Sequence, residues 1–189
     1  MSTALAQFIA DLSSTDESKR LAAAREIYQL GRASAGSATS TWWAEGELSS
    51  LLLGPNPAIT VGLAVQRDTF VKIRAANGSP RLAEVPSDQD AEEYELHFPE
   101  GIFLDILTSR APGGEGALAK FLGKFGEGVQ QVEYRCTNVD RATEILQDKF
   151  KLSPVYSAKR PGADDTRVNF FLVPSPDKGK VLIELYEAK

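Results

Sequence analysis

The order of predicted elements after residue 57 occurs twice along the chain, and this repeat limits the possible folds more than any other feature. In the first copy, ITVGLAV predicts a strand over 59–65 and RDTFVKIRAAN predicts a helix over 67–77. Three shorter strands are predicted after this helix, near residues 81–85, 92–98 and 102–108. The same order returns from residue 127 on, so the repeat has a period of about 70 residues.

The second copy follows the first element by element. VQQVEYRC predicts a strand over 129–136, and VDRATEILQDKF predicts a helix over 139–150 with its apolar residues on one side. Three strands are then predicted near residues 153–158, 167–173 and 180–187.

Two copies of a strand, a helix and three strands predict an α+β domain. We expect two βαβββ modules, at residues 58–110 and 127–187, whose strands form a curved antiparallel sheet around a cleft. The run ALAKFLGKF predicts a helix over 117–125 that connects the two modules.

Residues 1–53 have a different pattern and are predicted to form a helical N-terminal extension. Ser14-Thr15-Asp16-Glu17 has the form of a capping box, and the helix that it begins is expected to end at Gly31. The small and polar run over 33–41 predicts a loop, and a third short helix follows it. This extension is typical of a cap over the main domain, and a partner-binding helical hairpin is the alternative.

The charge balance and the scarcity of cysteine and histidine exclude several classes of function. The chain has 21 basic and 26 acidic residues, a net charge of −5, which gives no support for binding nucleic acid or an anionic membrane. The single cysteine, Cys136, excludes an intrachain disulfide and a cysteine-based zinc cluster. The single histidine, His97, excludes a site with two histidine ligands, and no nucleophile is placed beside it.

The sequence contains no targeting signal that we recognise. Its first residues lack the basic segment of a signal peptide, and no stretch is long and apolar enough to span a membrane. We therefore expect a cytoplasmic protein.

The run GEGVQQVEYRCTNVDRATEIL resembles the second half of methylmalonyl-CoA epimerase-like proteins, which are members of the vicinal-oxygen-chelate superfamily. The lead-in ALAKFLGKF and the closing strand GKVLIELYE resemble them as well. The superfamily also contains glyoxalase, extradiol dioxygenases, and fosfomycin- and bleomycin-resistance proteins. The likeness spans residues 58–187, is stronger in the second module, and implies a small-molecule ligand and a homodimer.

Enzymes of this superfamily hold a divalent metal with one side chain from the first strand and one from the last strand of each module. The resemblance places these positions at Thr60, Asp105, Gln131 and Glu184. The epimerase pattern has histidine at the first and third of these positions, so this chain departs from it twice. Three oxygen donors without an imidazole suit Mg, Ca or Mn better than Zn or Ni. The loss of both histidines favours a site without metal over one with metal.

The two carboxylates of this set give the site a second chemical role. Without a metal, facing carboxylates repel one another, and this repulsion raises the pKa of at least one of them. A carboxylate with a raised pKa is a candidate general base. We therefore expect Glu184 and Asp105 to be catalytic.

Strand alternation extends the site to the neighbours of these positions. We expect Phe103, Glu133, Arg135 and Tyr186 to point into the cleft and bind a ligand, with Arg135 as the anion partner. An ion pair between Glu133 and Arg135 is the alternative. The same alternation places further residues in the cleft, namely Gly62, Ala64, Leu107 and Leu182. It turns an apolar set toward the helices, namely Val61, Leu63, Val65, Leu104, Ile106, Val132, Tyr134, Ile183 and Leu185.

Three functions remain open at this point. The first is a lyase or isomerase that acts on a small oxygenated substrate in the cleft. The second is a metal-free binding protein, similar to the drug-sequestering branch. The third is a degenerate domain whose role lies in the N-terminal helices and a partner surface.

Overall fold

The computed structural model describes residues 3–156, 160–175 and 179–188. Its α-helices are α1 (Thr3–Asp11), α2 (Glu17–Ala38), α3 (Gly46–Leu51), α4 (Arg67–Ala76), α5 (Ala117–Phe125) and α6 (Val139–Phe150). Its strands are β1 (Ile59–Ala64), β2 (Glu92–Phe98), β3 (Ile102–Thr108), β4 (Gly128–Arg135), β5 (Arg160–Pro161), β6 (Arg167–Pro174) and β7 (Lys180–Glu187). None of the helices in these ranges is both long enough and apolar enough to span a bilayer.

The chain divides into two compact units, and each takes part of the N-terminal helical region. The first unit comprises Met1–Leu30 and Thr60–Gln130, and the second comprises Gly31–Ile59 and Gln131–Lys189. The α+β class and the N-terminal helices are confirmed. Strand pairing is mixed, because each unit combines one parallel pair with antiparallel pairs.

The first unit is built on the parallel pair β1 and β3, with β2 antiparallel to β3. One face of these strands is apolar and fully buried, and it includes Val61, Leu63, Leu104 and Ile106. Helix α4 packs on this sheet through Phe70, whose ring lies edge-on to Tyr94 at 4.7 Å. The apolar residues that alternate along β1 and β3 therefore lie on the face that α4 covers, as predicted.

The second unit repeats this plan with β4 parallel to β7 and β6 antiparallel to β7. Its helix-covered face includes Val132, Tyr134, Ile183 and Leu185, all of them buried. Helix α6 buries Ala142, Ile145 and Leu146 and packs on β6 and β7. Asn138 caps this helix, because its side chain accepts a hydrogen bond from the Arg141 amide at 3.0 Å.

Two of the predicted strands are not formed as expected. Residues 81–85 form no strand, although the Ala83 amide donates a hydrogen bond of 2.9 Å to the Glu93 carbonyl in β2. Prolines at 80 and 86 bracket this segment, and proline cannot donate to a strand ladder. In the second unit, Pro154 makes an isolated bridge to Phe171, and residues 157–158 of the predicted strand lie outside the described residues.

Helix α2 differs from the sequence prediction at both ends. It does not stop at Gly31 but continues to Ala38, so most of the predicted loop over 33–41 is helical. The added turns consist of small residues, and Ala35 among them is fully buried. The carbonyl of Ala35 accepts a hydrogen bond of 2.9 Å from the hydroxyl of Thr39, which is also buried. At the other end Asp16 is the capping residue, and its carboxylate accepts from the Ser18 amide at 2.9 Å. The Ser18 hydroxyl donates to the same carboxylate at 2.7 Å, and these two hydrogen bonds, the hydroxyl's first, lower the pKa of Asp16.

An aromatic cluster fixes the segment after α2 to the second unit. Trp42 is 1% exposed, and its ring centre lies 6.4 Å from both the Tyr134 and the Phe150 rings. Trp43 is half-buried, and its ring centre lies 5.9 Å from that of Tyr134. The Tyr134 hydroxyl also lies 3.3 Å from the Thr39 hydroxyl. This part of the N-terminal region is therefore part of the core of the second unit.

Replacing Trp42 by alanine is expected to lower the free energy of unfolding by about 3–5 kcal/mol, because it leaves a cavity where an indole was fully buried. Trp43→Ala is the matched control and should cost clearly less, since that ring is half-exposed. Urea unfolding followed by far-UV circular dichroism measures both. Equal losses at the two positions would contradict the assignment of Trp42 to the core.

In the first unit, Asp90 organises the connection between β3 and α5. Its carboxylate accepts hydrogen bonds from the Ser109 hydroxyl at 2.6 Å and from the Ala111 amide at 2.8 Å. Gly116, the residue that caps α5, lies directly against this side chain. A Cβ atom at Gly116 would lie 2.7 Å from the Cβ of Asp90. The glycine is therefore required by the close approach of the acid.

Gly116→Ala is expected to lower the free energy of unfolding by about 1–3 kcal/mol, because the methyl group overlaps with Asp90. Gly123→Ala in the same helix is the control and should raise it by about 0.5–1 kcal/mol, since that position has open space around it. In a double-mutant cycle, Asp90→Ala should reduce the cost of Gly116→Ala. If the losses in the free energy of unfolding from Gly116→Ala and Asp90→Ala simply add, the methyl group does not overlap with Asp90.

Candidate functional site

The first unit holds three of the predicted site residues on the sheet face opposite α4. Thr60 is 6% exposed and Asp105 is 5% exposed, and the register places Asp105 beside Gly62. Phe103 is half-buried, two residues before Asp105 on the same strand. Alternation along β1 and β3 therefore placed these side chains on one face, as expected.

Strand β2 adds two residues to this face that the sequence reasoning did not include. Glu95 is the cross-strand partner of Asp105, and His97 is the cross-strand partner of Phe103. The His97 imidazole lies edge-on to the Phe103 ring at 5.0 Å, and its Nε2 lies 2.7 Å from the Glu95 carboxylate. The pairing of the β2 and β3 patterns around the turn at 99–101 was the signal that could have found them.

One end of the same face is covered rather than open. Ala64 and Leu107 were expected in the cleft, but both are buried in a cluster with Leu118 and Leu122 of α5. The apolar side of α5 provides this cover. The expectation for these two positions was wrong because alternation identifies a face and does not show which part of it another element covers.

The second unit groups three polar side chains on the face of β4 and β7 that α6 leaves uncovered. The Gln131 amide nitrogen donates to a carboxylate oxygen of Glu184 at 2.7 Å and to one of Glu133 at 3.1 Å. Gln131 is 7% exposed and Glu133 is 8% exposed, while Glu184 is half-buried. Glu133 and Glu184 are register partners in the parallel pair. One amide therefore holds two carboxylates, and we call this group the Gln131 centre.

Arg135 and Tyr186 lie at the end of the same strands. They are register partners, with Tyr186 half-buried and Arg135 exposed. Arg135 makes no ion pair with Glu133, nor with any other described residue, so the alternative pairing considered from the sequence does not form. Arg135 follows Glu133 by two positions in β4, so the two side chains are on the same face of the sheet.

An aromatic group borders the Gln131 centre and was missed by the sequence reasoning. Phe170 of β6 is the cross-strand partner of Glu184. The Tyr156 ring lies edge-on to Phe170 at 5.9 Å, and the Arg160 guanidinium lies 4.6 Å from the centre of the Tyr156 ring. The centre thus has apolar and aromatic surface on its β6 side.

Solved structures of methylmalonyl-CoA epimerases are similar to this structure. The Mycobacterium tuberculosis enzyme is 29% identical, with a TM-score of 0.55 over 69% of this chain and 86% of that chain. A Streptomyces coelicolor epimerase variant in complex with 2-nitronate-propionyl-CoA is 25% identical, with a TM-score of 0.54 over 68% and 94%. An epimerase in complex with methylmalonyl-CoA and NH4+ is 26% identical, with a TM-score of 0.54 over 68% and 92%.

These enzymes are members of the vicinal-oxygen-chelate superfamily. This chain has the vicinal-oxygen-chelate fold. The resemblance seen in the second half of the sequence is thereby confirmed. No protein-family model matches the chain, and neither does any curated protein.

The vicinal-oxygen-chelate fold implies a divalent metal, and the donors of the second unit do not fit one. Gln131 turns its amide nitrogen toward the carboxylates, and an amide N–H cannot ligate a metal. Turning the amide around would break two hydrogen bonds to charged groups, each worth about 1.5–3 kcal/mol. No imidazole compensates, and the described residues contain no group of three His, Cys, Asp or Glu side chains arranged for a metal. We therefore derive no chemical step through a metal.

Cys136, the single cysteine of the chain, directly follows β4 in the second unit. It is 2% exposed, and burial raises its pKa to about 12. A thiol that stays protonated and covered cannot act as a nucleophile. Cys136 is therefore a structural residue.

In the native protein, Cys136 is expected not to react with a disulfide reagent at mildly alkaline pH. In denaturant, the same thiol should react with one equivalent of the reagent. Because the pKa of Cys136 is raised in the folded state, its contribution to stability is complete below the ordinary thiol pKa. That contribution is lost as pH rises toward about 12. Cys136→Ala should lack this part of the alkaline decline in the free energy of unfolding. Rapid labelling of the native protein would show that the thiol is accessible.

Proposed function

We propose that this chain binds a small oxygenated molecule at the Gln131 centre and acts on it as an isomerase or lyase, with Glu184 accepting a proton. The observation that carries this proposal is the amide of Gln131, which fixes Glu184 and Glu133 side by side on one sheet face. A carboxylate held in place within reach of a ligand is what general-base catalysis requires.

The proposed step breaks a carbon–hydrogen bond next to a carbonyl group of the substrate. The proton passes to the Glu184 carboxylate, and the electron pair of the broken bond moves onto the carbonyl oxygen as an enolate. Return of the proton to the enolate gives an isomer, and departure of a group from the neighbouring carbon gives a lyase product. The exposed Arg135 guanidinium supports the proposal as the partner for the developing oxyanion or for a carboxylate of the substrate.

The binding surface proposed around Glu184 combines charge with apolar area. Tyr186, the register partner of Arg135, and Phe170, the cross-strand partner of Glu184, would contact the body of the substrate. In the first unit, Thr60, Phe103 and Asp105 remain proposed site residues, and Asp105 is the carboxylate proposed to be catalytic there. The similar epimerases are solved with acyl-CoA compounds, which makes a thioester the first substrate class to test.

A second function, binding without turnover, is favoured by the same amide. Gln131 engages Glu184 directly at 2.7 Å, and a carboxylate that keeps this hydrogen bond during binding is a weaker base. The two functions differ in one measurable property, which is the exchange of a substrate proton with solvent.

Incubation in heavy water with methylmalonyl-CoA is expected to introduce deuterium at the acidic carbon, as measured by proton NMR and mass spectrometry. Glu184→Gln should reduce the exchange rate by about 100-fold or more, because the base is lost. Glu184→Asp should retain part of the exchange.

Glu26→Gln is the matched control, since Glu26 is exposed on α2 and lies outside the proposed site. It should exchange at the wild-type rate. Binding of the thioester without any exchange would replace catalysis by the second function. Exchange that is unaffected by Glu184→Gln would remove Glu184 from the proposed role.

A further inference from the structure

The face of the second unit that α6 leaves uncovered changes from polar to apolar across three neighbouring strands. Phe171 and Val173 of β6 are buried, so alternation places Phe170 and Leu172 on this open face. The residues that line the face are polar on β4, mixed on β7 and apolar on β6. They include Gln131, Glu133 and Arg135 on β4, Leu182, Glu184 and Tyr186 on β7, and Phe170 and Leu172 on β6.

The apolar end of this open face is exposed to solvent. Leu172 is 49% exposed, and its cross-strand partner is Leu182. Phe170 is the next residue of β6 on the same face, and its carbonyl accepts a hydrogen bond of 2.7 Å from the amide of Val155, which is 45% exposed. One exposed leucine is ordinary on a protein surface, but a contiguous apolar group is typical of a binding surface. We call Val155, Phe170, Leu172 and Leu182 the Leu172 patch.

The Leu172 patch begins directly beside Glu184. Phe170 is the cross-strand partner of Glu184, and Leu182 precedes Glu184 by two positions on β7. Leu172 is the diagonal neighbour of Glu184, and such neighbours in an antiparallel pair lie about 7–8 Å apart. A molecule bound at Glu184 therefore meets apolar surface as soon as it extends toward β6.

We infer that the ligand of this site carries an apolar arm of several carbon atoms, alkyl or aryl, that packs on the Leu172 patch. This inference rests on the proposed function, because it takes Glu184 as the place where the polar part of the ligand binds. A methyl substituent is too short to reach Leu172 across the diagonal. The substrate class is therefore a thioester or a related carbonyl compound with a longer acyl substituent than that of methylmalonyl-CoA.

A small molecule fits this arrangement better than a protein partner does. A protein surface placed over the Leu172 patch would also cover the Glu184 carboxylate, which is half-buried on the same face. Burying a charge is costly unless the partner supplies hydrogen bonds to it. A ligand with a polar end and an apolar arm matches both parts of the face, in the direction in which the polarity changes.

The test compares acetyl-CoA with hexanoyl-CoA, which differ only in the length of the acyl chain, by isothermal titration calorimetry of the full-length protein. Wild type is expected to bind hexanoyl-CoA about tenfold more tightly or better, because burial of the added methylene groups is favourable. Leu172→Thr should lose most of this preference and bind acetyl-CoA as wild type does. Leu30→Thr is the matched control, since Leu30 is 46% exposed on α2, and it should keep the preference.

A second measurement follows the leucine methyl NMR signals of wild-type protein during the same titrations. Hexanoyl-CoA should shift the Leu172 signals, which are assigned by their absence in Leu172→Thr, and acetyl-CoA should shift them less. Equal affinities for the two thioesters, no binding of either, or a preference that survives in Leu172→Thr would overturn the inference. Self-association that is lost in Leu172→Thr, in a protein with no preference for the longer chain, would assign the patch to a second copy of the chain and overturn it as well.

The outcomes for this inference and for the proposed catalysis can be told apart. If the preference for hexanoyl-CoA is present and requires Leu172, but no deuterium exchange occurs with methylmalonyl-CoA, the proposed catalysis fails and the inference stands. If exchange occurs and requires Glu184, but the two thioesters bind equally, the inference fails and the proposed catalysis stands.

Discussion

The fold depends on burying one face of a parallel strand pair under a helix in each unit. Burial of the Val61 and Leu104 side in the first unit, and of the Val132 and Ile183 side in the second, removes apolar surface from water and fixes the strand registers. Because side chains alternate along a strand, this burial also decides which residues remain on the opposite face. The polar site is thus a direct consequence of how the core is packed.

The Gln131 centre shows how a site changes its chemistry while the fold is kept. Where the epimerase pattern has histidine, this chain has an amide, and an amide is both donor and acceptor. Its donor end is directed at the carboxylates of Glu133 and Glu184. Thr60 and Gln131 together replace both histidines of that pattern, and Gln131 makes hydrogen bonds to carboxylates instead. A shared fold therefore does not by itself carry over the chemistry of the site.

Much of the fold was predictable because its patterns are local. The ends of β2, β3, α5 and α6 match the predicted ranges, since strong periodicity and clear turn residues mark them. The extension of α2 to Ala38 was not predictable, because a run of small residues becomes helical only when tertiary contacts bury it. The contact of Gln131 with Glu184 spans 53 positions and depends on the β4–β7 register, which alternation does not fix. The aromatic border of Phe170 and Tyr156 depends on β6 in the same way.

The division of the N-terminal region between the two cores changes how a role for these helices can be studied. Leu12 and Ile27 are fully buried in the first unit, and Trp42 and Leu48 are at most 1% exposed in the second. Deleting residues 1–53 would expose apolar surface in both units and promote aggregation, so loss of a phenotype after deletion would report misfolding. Leu30 and Leu53, at 46% and 54% exposure, can be changed without that penalty. A partner surface in this N-terminal region should therefore be tested by substitutions at exposed positions such as these, and not by deletion.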